Sequence, residues 1–340
     1  MSAAARPEPE MSRDPHERAA PVAFAALDLG TNNCRMLVGT RSGDGFRVLD
    51  SFSRIVRLGE GLERTGRLSA PAMDRALDAL QSCAARLARR PVRAVRAIAT
   101  EACRRAENGL EFLARARTET GLAIDVISTR EEAELALESC APLLRGAGRR
   151  ALLFDIGGGS TELAWVRLGP EPALIGYLSM PVGVVTLAER FGSDGQTAGG
   201  FQAMIDDVAA RLCAFEDVHR IAQEIRQGGV RLLGTSGTVT TLAGIVLKLE
   251  RYNRLAVDGA ILTREEADAA LETLRTLGRD GLRDHPCIGP ERADFVLPGC
   301  AIYAAIHQLW PVPEVAVADR GLREGMLLRL MRGERRRSPR

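Results

Sequence analysis

Two glycine loops in this 340-residue chain combine the residue types that hold a phosphate chain: Asp28-Leu29-Gly30-Thr31-Asn32 and Asp155-Ile156-Gly157-Gly158-Gly159-Ser160-Thr161-Glu162. Small residues let backbone N–H groups approach an anion closely, and hydroxyls and amides (Thr31, Asn32, Ser160, Thr161) add hydrogen bonds. The leading carboxylates, Asp28 and Asp155, suit a divalent cation held against phosphate charge. Either loop alone is more often an ordinary hairpin turn opened by Asp and closed by glycine. Two of them, one domain apart, favour a cleft that grips a phosphate chain from both sides.

Each loop sits between apolar runs. Residues 22–27 precede the first and 34–38 follow it, while 151–154 and 163–166 flank the second, so both read as strand, tight turn, strand. This setting excludes commoner phosphate motifs. A Walker loop needs a lysine in a glycine frame, and the chain's single lysine, Lys248, has none. A dinucleotide fingerprint needs a helix after its glycines, where this sequence has Leu163-Ala164-Trp165-Val166.

The elements that must position these loops alternate. A strand is predicted over 46–58, a helix opening at Ser69-Ala70-Pro71, a strand over 92–100, a helix over 107–118 stopped at Gly121, a strand over 122–127 and a helix over 131–139. The second loop then restarts the series, with helices within 200–226 and over 264–277 and a strand over 230–233. The order predicts an α/β protein of two similar lobes around a cleft. The expected divisions are a disordered leader (1–20), an N-terminal lobe (21–138), a C-terminal lobe (139–330) and a basic, solvated tail (331–340).

Composition narrows the class. A chain of this length with 46% hydrophobic residues buries two cores. With 46 basic and 44 acidic residues the formal charge is +2, so no overall basic field points to nucleic acid. No apolar run reaches the roughly 20 residues that span a bilayer. Seven scattered cysteines without a Cys-x-x-Cys fit buried thiols in the cytoplasm. His16, His219, His285 and His307 lack metal-ligand spacing.

Six ordered segments carry a resemblance. They are Ala26 to Asn32, Ala99-Thr100-Glu101-Ala102-Cys103-Arg104-Arg105-Ala106-Glu107-Asn108, Val126 to Ala133, Phe154 to Glu162, Gly234-Thr235-Ser236-Gly237-Thr238 and Gly321-Leu322-Arg323-Glu324-Gly325. Together, over about residues 22–330, they resemble the exopolyphosphatase and guanosine pentaphosphate phosphatase family. The resemblance implies two ribonuclease-H-like lobes of the actin and sugar-kinase superfamily, a homodimer, and Mg²⁺-dependent removal by water of the terminal phosphate of polyphosphate or guanosine pentaphosphate. It also implies roles. Glu132 matches the catalytic glutamate, although Ser128-x-x-Glu131 and Thr129-x-x-Glu132 also fit helix capping boxes. Arg104 matches a phosphate-contacting arginine, which without the motif would read as a solvated helix charge. Asp155 with Glu162 is expected to bind the metal, and Asp28 a metal-bound water. Gly234, Thr235, Ser236 and Gly237 resemble a third phosphate-facing turn, which a plain strand-to-helix turn would explain equally well. Long family members continue into a helical domain that helps hold polymer. This chain ends soon after Gly325, so processive action on long polymer is not expected; polyphosphate, in short chains, is favoured ahead of guanosine pentaphosphate, with a non-catalytic alarmone- or nucleotide-binding actin-like protein as the further alternative.

Overall fold

A computed structural model describes residues 22–337 apart from residues 44 and 147, so the expected leader lies outside the described residues. The first half runs β1 (Ala23–Leu29), β2 (Asn33–Ser42), β3 (Gly45–Ile55), α1 (Leu62–Thr65), α2 (Ala70–Ala88), β4 (Ala94–Ala99), α3 (Glu101–Arg105), α4 (Gly109–Thr120), β5 (Asp125–Val126) and α5 (Thr129–Cys140). β1 reads Ala-Phe-Ala-Ala-Leu-Asp-Leu because it is central and covered on both faces, so apolar residues persist until Asp28 reaches the strand's carboxyl end. The sheet order is β3-β2-β1-β4-β5, with β1 antiparallel to β2 and parallel to β4.

The second half runs β6 (Arg150–Ile156), β7 (Thr161–Arg167), β8 (Ala173–Met180), α6 (Val184–Phe191), α7 (Ala198–His219), α8 (Ile221–Arg226), β9 (Val230–Thr235) and α9 (Gly237–Val246). It continues through α10 (Arg254–Val257), β10 (Ile261–Thr263), α11 (Arg264–Thr276), α12 (Gly278–Asp284), α13 (Ala293–Leu309), β11 (Glu314–Ala318) and α14 (Leu322–Arg337). Its sheet order is β10-β11-β9-β6-β7-β8. With edge strand β10 set aside, the order and directions repeat those of the first sheet, giving the two similar lobes that the sequence pattern predicted, of the ribonuclease-H-like kind that the family resemblance implied.

Three apolar clusters hold the molecule together. One packs α2 and α4 on the first sheet, and the largest packs α7 and α13 on the second. The third lies between the sheets, where Leu135, Ala136 and Cys140 of α5 meet Leu322, Met326 and Leu327 of α14. α14 thus returns from the second half to cover β1 and β2. The boundary expected at 138/139 falls in the last turns of α5. The tail expectation needs correction: helix α14 runs through Arg337, because Met331 is buried and Arg329 and Arg332 pair with Glu138. Beside the cleft the lobes also touch through polar contacts. Gly61 donates its N–H to Glu189 Oε1 at 2.8 Å, Arg190 reaches Glu63 at 3.5 Å, and Arg57 stacks on Phe295.

α14 crosses α5 at Gly325, where an added Cβ would lie 2.3 Å from Leu135 O, whereas at Gly333 of the same helix it would meet nothing. Ala adds up to about 1 kcal/mol of helix propensity at either position, but overpacking costs about 1–3 kcal/mol at the crossing. Gly325→Ala is therefore expected to lower Tm and Gly333→Ala to leave it unchanged or raise it. Equal Tm values for the two variants in thermal melts would contradict this packing.

Candidate active site

Between the lobes lies a cleft of about 930 Å³. The β1–β2 and β6–β7 turns form its floor, since β1 and β6 are the paired central strands of the two sheets. Asp28, Gly30, Thr31, Asn32, Asp155, Gly157, Gly158, Gly159, Ser160 and Glu162 all line it. So do Glu132 and the turn Thr235, Ser236, Gly237 at the end of β9. Three expected residues, Thr161, Gly234 and Arg104, do not. Thr161 is fully buried and gives its hydroxyl to Val182 O at 2.7 Å, because its strand position turns it into the core. Gly234 lies against Phe154, where a Cβ would meet the ring at 2.4 Å, so packing rather than an anion accounts for it.

The loops meet closely. A Cβ on Gly159 would lie 2.6 Å from Thr31 Oγ1, and one on Gly158 3.0 Å from Asn32 Cβ. Only glycine permits this approach without displacing the facing loop. Carbonyls of the second loop are taken by the start of α6, with Val184 N donating to Gly157 O and Val185 N to Gly158 O. Among the described residues, the N–H groups of Thr31, Asn32, Gly158 and Gly159 donate to no protein acceptor. They form a concave set of donors suited to phosphate oxygens.

Four carboxylates surround this floor, and burial raises all of them. Asp155 is pushed up to about 6 and Glu162 to about 7, chiefly by burial and then, for Glu162, by the charge of Asp155 across the β6–β7 pair. Glu132 is raised well above the usual carboxylate range by burial, with Glu162 and Asp155 adding repulsion and Arg104 opposing it. Asp28 is raised by burial against the attraction of Arg35 and Arg323, and its Oδ1 is buried without a partner, as is Asn32 Oδ1. Crowded carboxylates with orphaned oxygens are a donor set for a hard divalent cation. Among the described residues no three His, Cys, Asp or Glu side chains form a closed metal cluster. A cation here would take one or two of the carboxylates and complete its shell with substrate oxygens and water.

Glu132 sits in the first turn of α5. Ser128 is the N-cap, accepting from Glu131 N at 3.1 Å, so Thr129 and Glu132 do not form the cap. The Glu132 carboxylate instead reaches Arg104, whose NH1 lies 3.1 Å from Glu132 Oε2. Arg104 does not line the cleft. Its other bonds go to Ile127 O at 2.9 Å and to Glu101 Oε2 at 2.6 and 3.2 Å.

The cleft walls hold residues that the sequence reading did not single out. Arg35, Arg54, Arg292, Arg320 and Arg323 all line it. Arg292 is anchored on Gly237 O and Thr241 Oγ1, both at 2.8 Å, and Arg320 on Asp258. Burial, followed by the neighbouring Arg35 cation, lowers the Arg292 guanidinium from its usual value, and burial lowers Arg323. Five arginines on the walls of one cleft suit a polyanion. Arg35 stands two residues beyond Asn33 on β2, so strand alternation could have found it; Arg323 lies within a quoted motif. Arg292 carries no local signal. Ser236 adopts φ +88° and ψ −178°, a region populated essentially by glycine, and its buried Oγ has no partner.

Fold and site together define a two-lobed phosphatase cleft, with an anion floor, a carboxylate centre and arginine walls. The family model of the Ppx/GppA phosphatase family matches residues 37–334. The chain is 27% identical to an exopolyphosphatase-like protein of known structure, over 93% of this chain and 99% of that one, with a TM-score of 0.84. It is 26% identical to the Aquifex aeolicus Ppx/GppA family member, over 93% and 99%, with a TM-score of 0.75. An exopolyphosphatase from Cytophaga hutchinsonii shares the fold at 24% identity, over 92% and 98%, with a TM-score of 0.80. The protein belongs to the Ppx/GppA phosphatase family.

The raised carboxylates make stability depend on pH. A carboxylate whose folded value lies above its unfolded value of about 4 contributes stability that is complete below that value. The contribution is lost as pH rises through the folded values, here about 6 for Asp155 and about 7 for Glu162. Without divalent metal, Tm should therefore fall between pH 5 and pH 8 more steeply for wild type than for Glu162→Gln. Each 1 kcal/mol shifts Tm by about 2–4 °C in domains of 150–250 residues. Melting curves at both pH values check this, and parallel pH profiles would refute it.

Proposed function

We propose that the protein is an exopolyphosphatase, hydrolysing the terminal phosphoanhydride of inorganic polyphosphate with Mg²⁺ and releasing orthophosphate. The observation that carries the reading is the position of Glu132, at the cleft between the two anion-binding loops, with Oε2 held by Arg104 and Oε1 given no donor among the described residues. A water on Oε1 loses its proton to Glu132 as its oxygen attacks the terminal phosphorus. The anhydride bond breaks, and the shortened chain leaves with the bridging oxygen. Amides of Thr31, Asn32, Gly158 and Gly159 orient the transferring phosphoryl oxygens, and Arg35, Arg292 and Arg323 neutralise the rest of the chain. Asp155 and Glu162 would hold Mg²⁺, with Asp28 on one of its waters, and the ion would supply charge neutralisation at the phosphates.

Burial suits Glu132 to this work, because a carboxylate raised above its usual range takes a proton more readily than an ordinary one. The name of the exopolyphosphatase-like neighbour supports a polyphosphate substrate. A second reading, hydrolysis of guanosine pentaphosphate, is favoured by one feature of the wall. Pro286, Cys287 and Ile288 with Tyr252 offer apolar room for a base beside Arg292. The free cysteines, all buried except Cys213, suit a cytoplasmic setting, and no described helix is long and apolar enough to cross a membrane.

Phosphate release from short polyphosphate, long polyphosphate, guanosine pentaphosphate and ATP with Mg²⁺ tests the reading. Wild type is expected to favour short polyphosphate, and Glu132→Gln to lose about 10²–10⁴-fold in kcat. Release from none of the four, or full activity in the variant, sinks the proposal. Arg323→Met is expected to raise KM for polyphosphate more than it lowers kcat, as the loss of one of several arginines that neutralise the chain would. An unchanged KM in the same assay would remove Arg323 from the chain-binding wall.

A further inference from the structure

Glu101 is a buried carboxylate that the chemistry above leaves unused. Only about 7% of its surface is exposed, yet it makes no bond to the cleft and does not line it. It opens α3, and its Oε2 accepts from both Nε (3.2 Å) and NH2 (2.6 Å) of Arg104, one turn on. Its Oε1 lies 3.8 Å from Arg105 Nε. The Arg104 guanidinium has five N–H donors in one plane, and Glu101 takes the edge formed by Nε and NH2. The remaining NH1 group divides its two donors between Ile127 O, at 2.9 Å, and Glu132 Oε2, at 3.1 Å.

The consequence concerns Glu132. An arginine and a carboxylate brought together pair preferentially through two parallel N–H···O bonds. Such a pair would tie up both Glu132 oxygens, including the one facing the nucleophilic water. Glu101 holds the Nε–NH2 edge and Ile127 O holds the other NH1 donor, and with the guanidinium turned this way a single NH1 donor meets Glu132. The carbonyl of Ile127, just before the Ser128 cap of α5, fixes the direction of NH1 and so the distance between α3 and the first turn of α5.

We infer that Glu101 is a positioning residue, holding Arg104 to a single bond with Glu132 so that Glu132 keeps one oxygen for the attacking water. The inference rests on Glu132 serving as the base. Glu101 itself touches neither water nor phosphate; it acts through Arg104.

The test combines kinetics with short polyphosphate and Mg²⁺ and crystal structures of the variants. Glu101→Ala is expected to lower kcat by about 10²-fold, the scale of a misplaced catalytic group, with KM changed less than about twofold. Glu101→Gln, whose Oε1 can still accept from Nε and NH2, should recover most of the loss. In an Arg104→Met background, Glu101→Ala should cause no further loss. A crystal structure of Glu101→Ala should show Arg104 turned onto both Glu132 oxygens, and the same measurement on Glu101→Met, which also removes the acceptor, serves if the alanine variant does not fold. The inference is overturned if Glu101→Ala raises KM at constant kcat, if its effect persists undiminished in Arg104→Met, or if Arg104 keeps its single bond to Glu132 in Glu101→Ala or Glu101→Met. Should wild type hydrolyse no substrate, the functional reading fails, while the crystal structures still decide the placement of Arg104.

Discussion

The removal of four neighbouring carboxylates, Asp28, Glu132, Asp155 and Glu162, from water between two sheets is the constraint around which the rest of this molecule is arranged. Burial alone disfavours each charge, and proximity compounds it. The protein answers with cations at graded distance. Arg104 touches Glu132 directly, Arg35 and Arg323 act on Asp28 through space, and the remaining imbalance is met by whatever cation and polyanion enter together. A cation for the carboxylates and a polyanion for the arginine walls, entering together, would satisfy both.

Glycine makes this concentration of charge geometrically possible. The closest approach of the lobes is backbone to side chain, at Gly158 and Gly159 against Thr31 and Asn32, where any Cβ would push the loops apart. Gly183 supports the second loop from below, where a Cβ would lie 2.5 Å from the backbone of Gly158. Small residues thus set the cleft's depth, and side chains with hydroxyls or charge are left to set its chemistry. Ser236 marks the exception: a side chain kept where the backbone conformation suits glycine, with its oxygen unpaired.

Much of this was legible in the sequence because it is local. The Asp-led glycine loops, the alternation of strands and helices, and the ordered motifs all lie within short windows, and they placed Glu132 and the loop residues at one cleft. What stayed hidden depends on residues far apart in sequence. Arg292 reaches the site from a segment just before α13, and nothing in its neighbours separates it from the many surface arginines. Thr161 looked like a loop hydroxyl, but one residue of strand register turns it inward. The basic end of the chain looked solvated because its acidic partner Glu138 lies 194 residues from Arg332. Glu101 stood in a quoted motif without a role, since its significance lies in how it turns the side chain of Arg104.

The return of α14 to the first sheet has a consequence for how the chain acquires its structure. β1 and β2 are among the earliest segments to be synthesised, yet one of their faces is covered by Leu322, Met326 and Leu327, which come some 300 residues later. Until that helix arrives, the apolar surface of Phe24, Ala26 and Leu37 has no native cover. Contacts of such high sequence separation are slow to form, and exposed strand surface invites misassembly meanwhile. The first lobe is therefore first in the chain but completed last, and the nascent protein depends on whatever shields that face during synthesis.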